Sequence, residues 1–230
     1  SGQYDYVEFV AEYAPYDLHL LENLGRTVEL FDSMTSMMKV EQELRAYLAS
    51  RAIGAGIQNV LFSDVRTAED VEDCVRAVRA ETPETGGRHG TSLRRGAGFV
   101  QDYGAPAFVQ AMEDVVVALM IEKAEAVEDL EALLSVKGVD MVQFGPGDYS
   151  MSIGHPGQYD HAEVLKAEAH VIETALRIGI TPRVEIYTPE QADKYIEMGV
   201  KHFCIGLDVF LLRDWFKSAG KRMGDILAKL

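Results

Sequence analysis

Short apolar runs alternate along this chain with longer segments in which apolar positions recur at helical spacing. Seven such runs predict strands at residues 6–10, 34–40, 59–65, 115–121, 141–145, 183–186 and 202–206. Several of them are apolar at every position instead of every second one. That pattern is typical of strands that are buried on both faces, as in a parallel sheet.

A segment with helical periodicity follows each predicted strand. These segments predict helices near 17–31, 41–54, 67–80, 125–135, 160–178, 189–198 and 208–228. The third begins with Thr67 three residues before Asp70, the spacing of a capping box, and the sixth has Thr188 directly before Pro189. The Gly-rich stretch 81–114 fits neither pattern. We predict an irregular loop there, which at that length is usually functional or mobile.

Repeated strand–helix units predict an α/β fold in which right-handed crossovers join parallel strands. Eight units close a (β/α)8 TIM barrel, a fold that often occupies about 200–250 residues as one domain. With seven units visible, we interpret residues 1–230 as a single TIM-barrel domain whose first βα unit is absent from the chain. An open parallel sheet is the alternative.

Composition and charge exclude several classes of partner. The chain has 37 acidic and 22 basic residues and a net charge of −15, whereas nucleic acids and anionic membranes require a basic surface. No apolar run reaches the roughly 18 residues of a transmembrane helix, and the first residues lack the pattern of a signal peptide. Cys74 and Cys204 are interpreted as buried thiols of a cytoplasmic protein.

Two carboxylates stand where neighbouring predicted strands end, which is the edge at which α/β folds bind ligands. Glu122 follows the run 117–121, and Asp148 follows the run 141–145 after the turn Gly145-Pro146-Gly147. Two oxygen ligands with room for water and substrate suit Mg²⁺ or Mn²⁺. The alternative is that both acids begin helices, where the helix dipole favours them. The two glycines either let backbone N–H groups approach an anion or form an ordinary turn.

The segments around these residues resemble the HpcH/HpaI aldolase family. The resemblance is most specific at 120–123 (Met-Ile-Glu-Lys), 126–130, 136–140 and 145–154 (Gly-Pro-Gly-Asp-Tyr-Ser-Met-Ser-Ile-Gly). It continues through Gly199 and 206–208, is weaker at 12–15 and 54–70, and covers nearly the whole chain. The family comprises metal-dependent class II pyruvate aldolases, including 4-hydroxy-2-oxoheptanedioate and 2-dehydro-3-deoxyglucarate aldolases.

The resemblance implies a role for each matching residue. Glu122 and Asp148 match the ligands of the divalent metal, Mg²⁺ or Mn²⁺ with Co²⁺ as a further alternative. The backbone at Gly145 and Gly147 matches the turn that binds the carboxylate of an α-keto acid. The implied reaction cleaves or forms a 4-hydroxy-2-oxo acid through a metal-bound pyruvate enolate. The family also implies a homo-oligomer (dimer, trimer or hexamer), with helix 208–228 swapped between subunits.

The chain departs from the family where protons are transferred. The second family strand ends in Asp-x-Glu-His, with the His as general base, but here Glu12 is kept while Val10 and Tyr13 replace the Asp and His. Lys39 stands where the family has an Arg that polarises the keto oxygen, and it keeps the charge without the planar fork.

Several residues are candidates for the missing catalytic function. Tyr13 would serve better as an acid than as a base, Glu185 would act as a base if burial raised its pKa, and His89 would close over the site from its loop. Lys123 would bind a substrate anion or act as a base. Each has a plain structural alternative: packing for Tyr13, an ion pair with Arg183 for Glu185, and solvated positions for the others.

Arg88 belongs to an Arg-rich stretch, 88–95, that loosely resembles a family loop and would clamp a second anionic group of the substrate. Its alternative is a solvated loop. Five histidines do not cluster at metal-ligand spacing in the sequence and are assigned to no metal: His19, His155, His161, His170 and His202.

The altered residues leave alternatives to the aldolase activity. One is a decarboxylase or an acyl-thioester lyase that uses the same metal-enolate site. The other is a barrel that binds an α-keto acid and a metal without turnover. Glu122 and Asp148, which match the metal ligands of the family, are compatible with all of these functions.

Overall fold

A computed structural model of the chain describes residues 2–13, 15–92, 95 and 103–230. The chain divides into two compact units, the first ending at Pro182 and the second beginning at Arg183. Both units consist of parallel strands followed by helices, which confirms the predicted α/β class. Closure of the strands into a TIM barrel stays a prediction.

The first unit contains five parallel strands that pair in the order in which they occur in the chain. They are β1 (Tyr6–Val10), β2 (Thr35–Val40), β3 (Asn59–Phe62), β4 (Val117–Ile121) and β5 (Met141–Phe144). Val10 lies opposite Lys39, and Ile121 lies opposite Phe144. The carboxyl ends of all five strands therefore meet at one edge.

In the described part of the first unit, eight α-helices connect or follow these strands. They are α1 (Leu18–Val28), α2 (Arg45–Ala55), α3 (Ala68–Val78), α4 (Pro106–Glu113), α5 (Ala124–Glu128), α6 (Leu130–Leu134), α7 (Pro146–Ser152) and α8 (Ala162–Ile178). The capping box is present at α3, where Thr67 and Asp70 satisfy each other's backbone N–H groups.

Two predictions about helices are corrected. The stretch 81–114 is not irregular throughout, because Pro106 begins α4, which buries Phe108 and Met112 in the core. The single helix predicted at 125–135 is two short helices, since Asp129 leaves helical geometry with φ −108° and ψ 27°.

Strands β2 to β5 are buried on both faces along most of their length, as their apolar character predicts, whereas the residues of β1 are half-buried. Along β4, Val117, Leu119 and Ile121 pack with the helices in the main core. Ala118 and Met120 point the other way and form a second apolar cluster with Met37 and Leu61. Because side chains alternate along a strand, a residue two positions beyond Met120 or Met37 emerges on this second face.

The boundary between the units falls within β6 (Thr181–Ile186). The second unit contains the rest of β6 from Arg183, the parallel strand β7 (His202–Ile205), and the helices α9 (Ala192–Glu197) and α10 (Asp208–Leu227). The predicted helix 189–198 begins as a 3₁₀ turn, Pro189–Gln191, that Thr188 caps. None of the side chains of α10 is buried. Across the described residues, no helix has the length and apolarity needed to cross a membrane.

The two cysteines differ in their surroundings. Burial raises the pKa of the Cys74 thiol to about 12, although the nearby Arg45 lowers it. Cys204 is only half-buried. The prediction of two buried thiols is therefore confirmed for Cys74 and wrong for Cys204.

Candidate active site

Charged side chains from all five strands of the first unit gather at the carboxyl edge of the sheet. We call them the charged cluster: Glu12, Lys39, Asp64, Glu122, Lys123 and Asp148. Each lies within a strand, in the connection that follows it, or in the helix that begins there. Parallel pairing in chain order is what brings together residues that are far apart in sequence.

Strand periodicity explains why Lys39 and Glu122 turn away from the helices. Lys39 lies two residues after Met37 on β2, and Glu122 lies two residues after Met120. Both therefore share the second face of the sheet with those methionines. Both are almost fully buried, with 3% and 2% of their surfaces exposed, and buried charges need partners.

The Lys39 ammonium group lies between β1 and β4. Its Nζ atom is 2.6 Å from Glu12 Oε2 and donates a hydrogen bond to Tyr13 Oη at 3.3 Å. Burial alone would lower the pKa of Lys39, but the carboxylates of Glu122 and Glu12 raise it well above the usual value. Lys39 is therefore a fixed positive charge at neutral pH.

The Glu122 carboxylate is held from two sides. Its Oε1 atom accepts a hydrogen bond of 2.8 Å from the backbone N–H of Asp64. Gly145 leaves space for the side chain, since a Cβ there would lie 2.9 Å from Glu122 Oε2. Burial raises the pKa of Glu122 to about 7, with Asp148 and Asp64 adding to the rise while Lys39 and the hydrogen bond lower it.

Lys123 links two of the carboxylates. Its Nζ atom lies 2.6 Å from Asp64 Oδ1 and 3.0 Å from Asp148 Oδ1. Burial would lower the pKa of Lys123, but the hydrogen bonds to Asp64 and Asp148 raise it above the usual value. This ammonium group also stays charged at neutral pH.

The charged cluster fits a divalent cation. It holds four carboxylates against two ammonium groups, so it has an excess of negative charge. The raised pKa of Glu122 reflects part of that excess. Carboxylate oxygens are the ligands that Mg²⁺ and Mn²⁺ prefer, and Glu122 and Asp148 are near enough for one to raise the pKa of the other.

The structure brings some of the predicted site residues together. Glu122, Asp148, Lys39, Lys123 and Gly145 all meet at the carboxyl edge. Tyr13 lies beside Lys39 with 66% of its surface exposed. Gly147 lies in the first turn of α7, where a Cβ would meet open space.

Other candidates lie elsewhere. His89 is buried and pairs through its backbone with Arg79 and Glu81, near the end of α3. Because α3 runs back from the carboxyl edge, His89 lies at the opposite end of the sheet from Glu122, which contradicts its predicted role. Arg88 forms an ion pair with Asp73 on α3, so it does not reach the charged cluster either.

The remaining predicted residues divide between the two units. Arg95 pairs with Glu29 at the end of α1, with 3.1 Å between Nη1 and Oε2, and Arg94 lies outside the described residues. Glu185 is an exposed residue of β6, and Arg183 of the same strand is buried.

Asp64 is the residue that sequence reasoning missed. It contacts Lys123 through its carboxylate and Glu122 through its backbone N–H group. The available signal was its position shortly after a strand: Asp64 lies two residues after β3, just as Glu122 lies one residue after β4 and Asp148 four residues after β5. That signal was hidden because the predicted strand ran through to residue 65.

One pair of histidines does lie at metal-ligand spacing, contrary to the prediction. His155 and His161 stack with ring centroids 3.8 Å apart, and their ligand atoms lie within 4.8 Å of one another and of Glu163. Gly154 and Gly157, both with positive φ, turn the loop so that the two rings meet. Stacked rings direct their nitrogens along parallel planes and not at one point, so this group is not preorganised for an ion.

Comparison with known proteins shows which family has this fold. Residues 32–214 match the model of the HpcH/HpaI aldolase/citrate lyase family. The chain belongs to that family. Membership confirms the sequence resemblance and places the chain among carbon–carbon lyases of the aldolase type.

Similar proteins cover nearly all of the chain. The 5-keto-4-deoxy-D-glucarate aldolase of Klebsiella pneumoniae is 28% identical over 98% of the chain and 84% of its own length. An HpcH/HpaI aldolase from Desulfitobacterium hafniense superposes with a TM-score of 0.83 at 26% identity, covering 96% of this chain and 84% of that one. A family protein from Burkholderia cenocepacia gives 0.84 at 26% identity, with 96% and 86% covered.

Proposed function

We propose that this family member is a divalent-metal-dependent aldolase that cleaves or forms a 4-hydroxy-2-oxo acid through a pyruvate enolate. The charged cluster is the observation that carries the proposal. It places Glu122 near the charged Lys39 and Asp148 beside the charged Lys123, at the ligand-binding edge of the sheet.

Glu122 and Asp148 would hold the cation, Mg²⁺, Mn²⁺ or Co²⁺. When bound, such a cation supplies Lewis acidity toward the oxygens of an α-keto acid. Lys39 would add a second positive charge for the oxygen that becomes negative in the enolate. Because the pKa values of Lys39 and Lys123 are both raised, neither amine is free at neutral pH to form a Schiff base. This favours enolate chemistry without a covalent intermediate.

Tyr13 is the group we assign to proton donation. Its hydroxyl lies 3.3 Å from Lys39 Nζ, and its ring is largely exposed toward solvent and incoming substrate. Partial burial of the hydroxyl group beside Lys39 raises the pKa of Tyr13, although the charge of Lys39 lowers it. The hydroxyl therefore stays protonated at neutral pH and suits the role of an acid.

The backbone of Gly147 would bind the substrate carboxylate. Gly147 lies in the first turn of α7, and the space where its Cβ would be is open. Asp148, the next residue, carries one of the proposed metal ligands. A carboxylate bound at this turn would therefore lie next to a proposed metal ligand.

Apolar side chains of α10 support assembly with a second copy, as the family resemblance implies. Leu211, Leu212, Trp215 and Phe216 each have more than half of their surface exposed. Exposed apolar groups on one helix mark an interaction surface. Light scattering after size exclusion would test this part of the proposal, and a monomer at micromolar concentration would contradict it.

The experiment that tests the reaction is exchange of the methyl protons of pyruvate with solvent. The chain is incubated with pyruvate in D₂O, with Mg²⁺ or Mn²⁺ and then with EDTA, and the methyl signal is followed by NMR. Exchange reports enolisation without knowledge of the aldehyde. Cleavage of 5-keto-4-deoxy-D-glucarate, named for the Klebsiella relative, is the first aldol to test.

Glu122→Gln and Asp148→Asn are expected to abolish exchange, because each removes a charge that holds the cation. Glu125→Gln is the matched control, since that exposed glutamate lies three residues beyond Glu122 and pairs with Arg66. Absence of metal-dependent exchange would reject the pyruvate aldolase. That result would favour one of the alternative functions: decarboxylation, thioester cleavage, or binding of an α-keto acid without turnover.

A further inference from the structure

Asp64 has an unusual backbone that ties it to a proposed metal ligand. Its φ angle of 55° is left-handed, which among the described non-glycine residues occurs elsewhere only at Leu44. Aspartate and asparagine adopt this conformation at lower cost than other side chains. The conformation accompanies a 2.8 Å hydrogen bond from the Asp64 N–H to Glu122 Oε1. The position of Asp64 is thereby fixed relative to Glu122.

The carboxylate of Asp64 competes with Asp148 for one ammonium group. Lys123 Nζ is 2.6 Å from Asp64 Oδ1 and 3.0 Å from Asp148 Oδ1. Asp64 is also the more buried of the two acids, with 16% of its side chain exposed against 43% for Asp148. The contact to Asp64 is therefore both shorter and less accessible to water.

A cation and an ammonium group that share the Asp148 carboxylate repel each other. Two like charges about 4 Å apart repel by several times the thermal energy in partly buried surroundings. A divalent ion therefore binds Asp148 more tightly if Lys123 withdraws from it. Since Asp64 already holds the same Nζ atom, Lys123 can release Asp148 without becoming a buried and unpaired charge.

We propose that Asp64 is a positioning residue that retains Lys123 and so releases Asp148 to the divalent cation. This inference rests on the proposed function, because it assumes that Asp148 is a metal ligand. It assigns Lys123 the role of an internal counter-cation that occupies Asp148 while no metal is bound. Asp64 determines how readily Lys123 leaves Asp148 when a metal ion binds.

The test is Mn²⁺ binding by the full chain after removal of metals with EDTA, measured from the EPR signal of free Mn²⁺. Asp64→Asn keeps the backbone N–H and tolerates positive φ, so it removes only the carboxylate. We expect it to weaken Mn²⁺ binding about tenfold or more, because Lys123 then depends on Asp148. We expect Lys123→Met to tighten binding. In the Lys123→Met background, the loss caused by Asp64→Asn should nearly disappear.

Two controls separate this role from general charge effects. Lys137→Met removes one exposed charge away from the cluster. Glu125→Gln removes one exposed charge near Lys123 that makes no contact with Asp148, and pairs instead with Arg66. The two variants measure how affinity follows net charge. A loss on Asp64→Asn that is equally large with and without Lys123 would overturn the inference, as would a loss no larger than in the controls. Circular dichroism checks that each variant is folded.

The same titration distinguishes failure of this inference from failure of the proposed function. Mn²⁺ binding that Glu122→Gln abolishes but Asp64→Asn leaves unchanged would reject the role of Asp64 and keep the metal site. No Mn²⁺ binding by the unchanged chain, or binding that Glu122→Gln does not affect, would overturn both.

Discussion

Gly145 is required because of the side chain that packs against it. We expect Gly145→Ala to lower the free energy of unfolding by about 1–3 kcal/mol, the usual cost of overpacking. A Cβ at this position would lie 2.8 Å from Glu122 Cβ, 2.9 Å from Glu122 Oε2 and 3.2 Å from Met120 Cγ. Its φ of −107° suits alanine, so the cost arises from packing. Glu122 cannot retreat freely, because the Asp64 N–H holds its other oxygen.

Gly147→Ala is the matched control, two residues further along. Nothing lies within 4 Å of a Cβ there, and alanine in the first turn of α7 is favoured over glycine by up to about 1 kcal/mol. Urea unfolding followed by far-ultraviolet circular dichroism measures both variants against the unchanged chain. The reasoning is refuted if Gly145→Ala is as stable as the unchanged chain, or if both substitutions destabilise it equally.

Three further predictions concern stability. Glu122→Gln should stabilise the metal-free chain by up to about 3 kcal/mol at pH 8 but not at pH 4. The pKa of Glu122 is about 7 in the folded chain and near 4.5 in the unfolded chain, so ionising this carboxyl group destabilises the fold as the pH rises between those values. Urea unfolding at both pH values tests this, and a pH-independent difference would contradict it. Thr67→Ala should cost about 1 kcal/mol by removing the cap on α3, which a thermal melt would detect and an unchanged melting temperature would disprove. Arg79→Met should lower the free energy of unfolding by about 3–5 kcal/mol, because it leaves buried carbonyl groups unpaired. Arg76→Met, on the exposed side of α3, should lower it far less in the same thermal melt. Equal losses of stability in the two variants would contradict this explanation.

Much of the fold follows from local patterns in the chain. Strands β1 to β7 lie where apolar runs predict them. For β2 to β5 the reason is burial on both faces, which requires apolar residues at successive positions. Helix starts are equally local, as the capping box at Thr67 illustrates. Errors occur where local signals are weak: α4 was missed, since the Gly-rich sequence before it obscures its short apolar face.

The position of Glu122 and Asp148 at the ends of strands could also be predicted from the sequence. Parallel order places all carboxyl ends at one edge, so acids that follow neighbouring strands must approach each other. Sequence spacing alone left them open to interpretation as helix-initiating acids, and the family resemblance was needed to favour a metal site.

The partners of these charges were decided by tertiary structure alone. The spacing of residues in the sequence does not reveal that Lys123 bridges Asp64 and Asp148. Nor does it reveal that the backbone of His89 forms hydrogen bonds with Arg79 and Glu81 just after α3. The physical reason is that secondary structure depends on neighbours within a few residues, whereas the pairing and the pKa of a buried charge depend on groups that only the packed strands bring together. The sequence therefore determined the order of strands and helices and where acids follow them, and the packing determined which charges those acids meet.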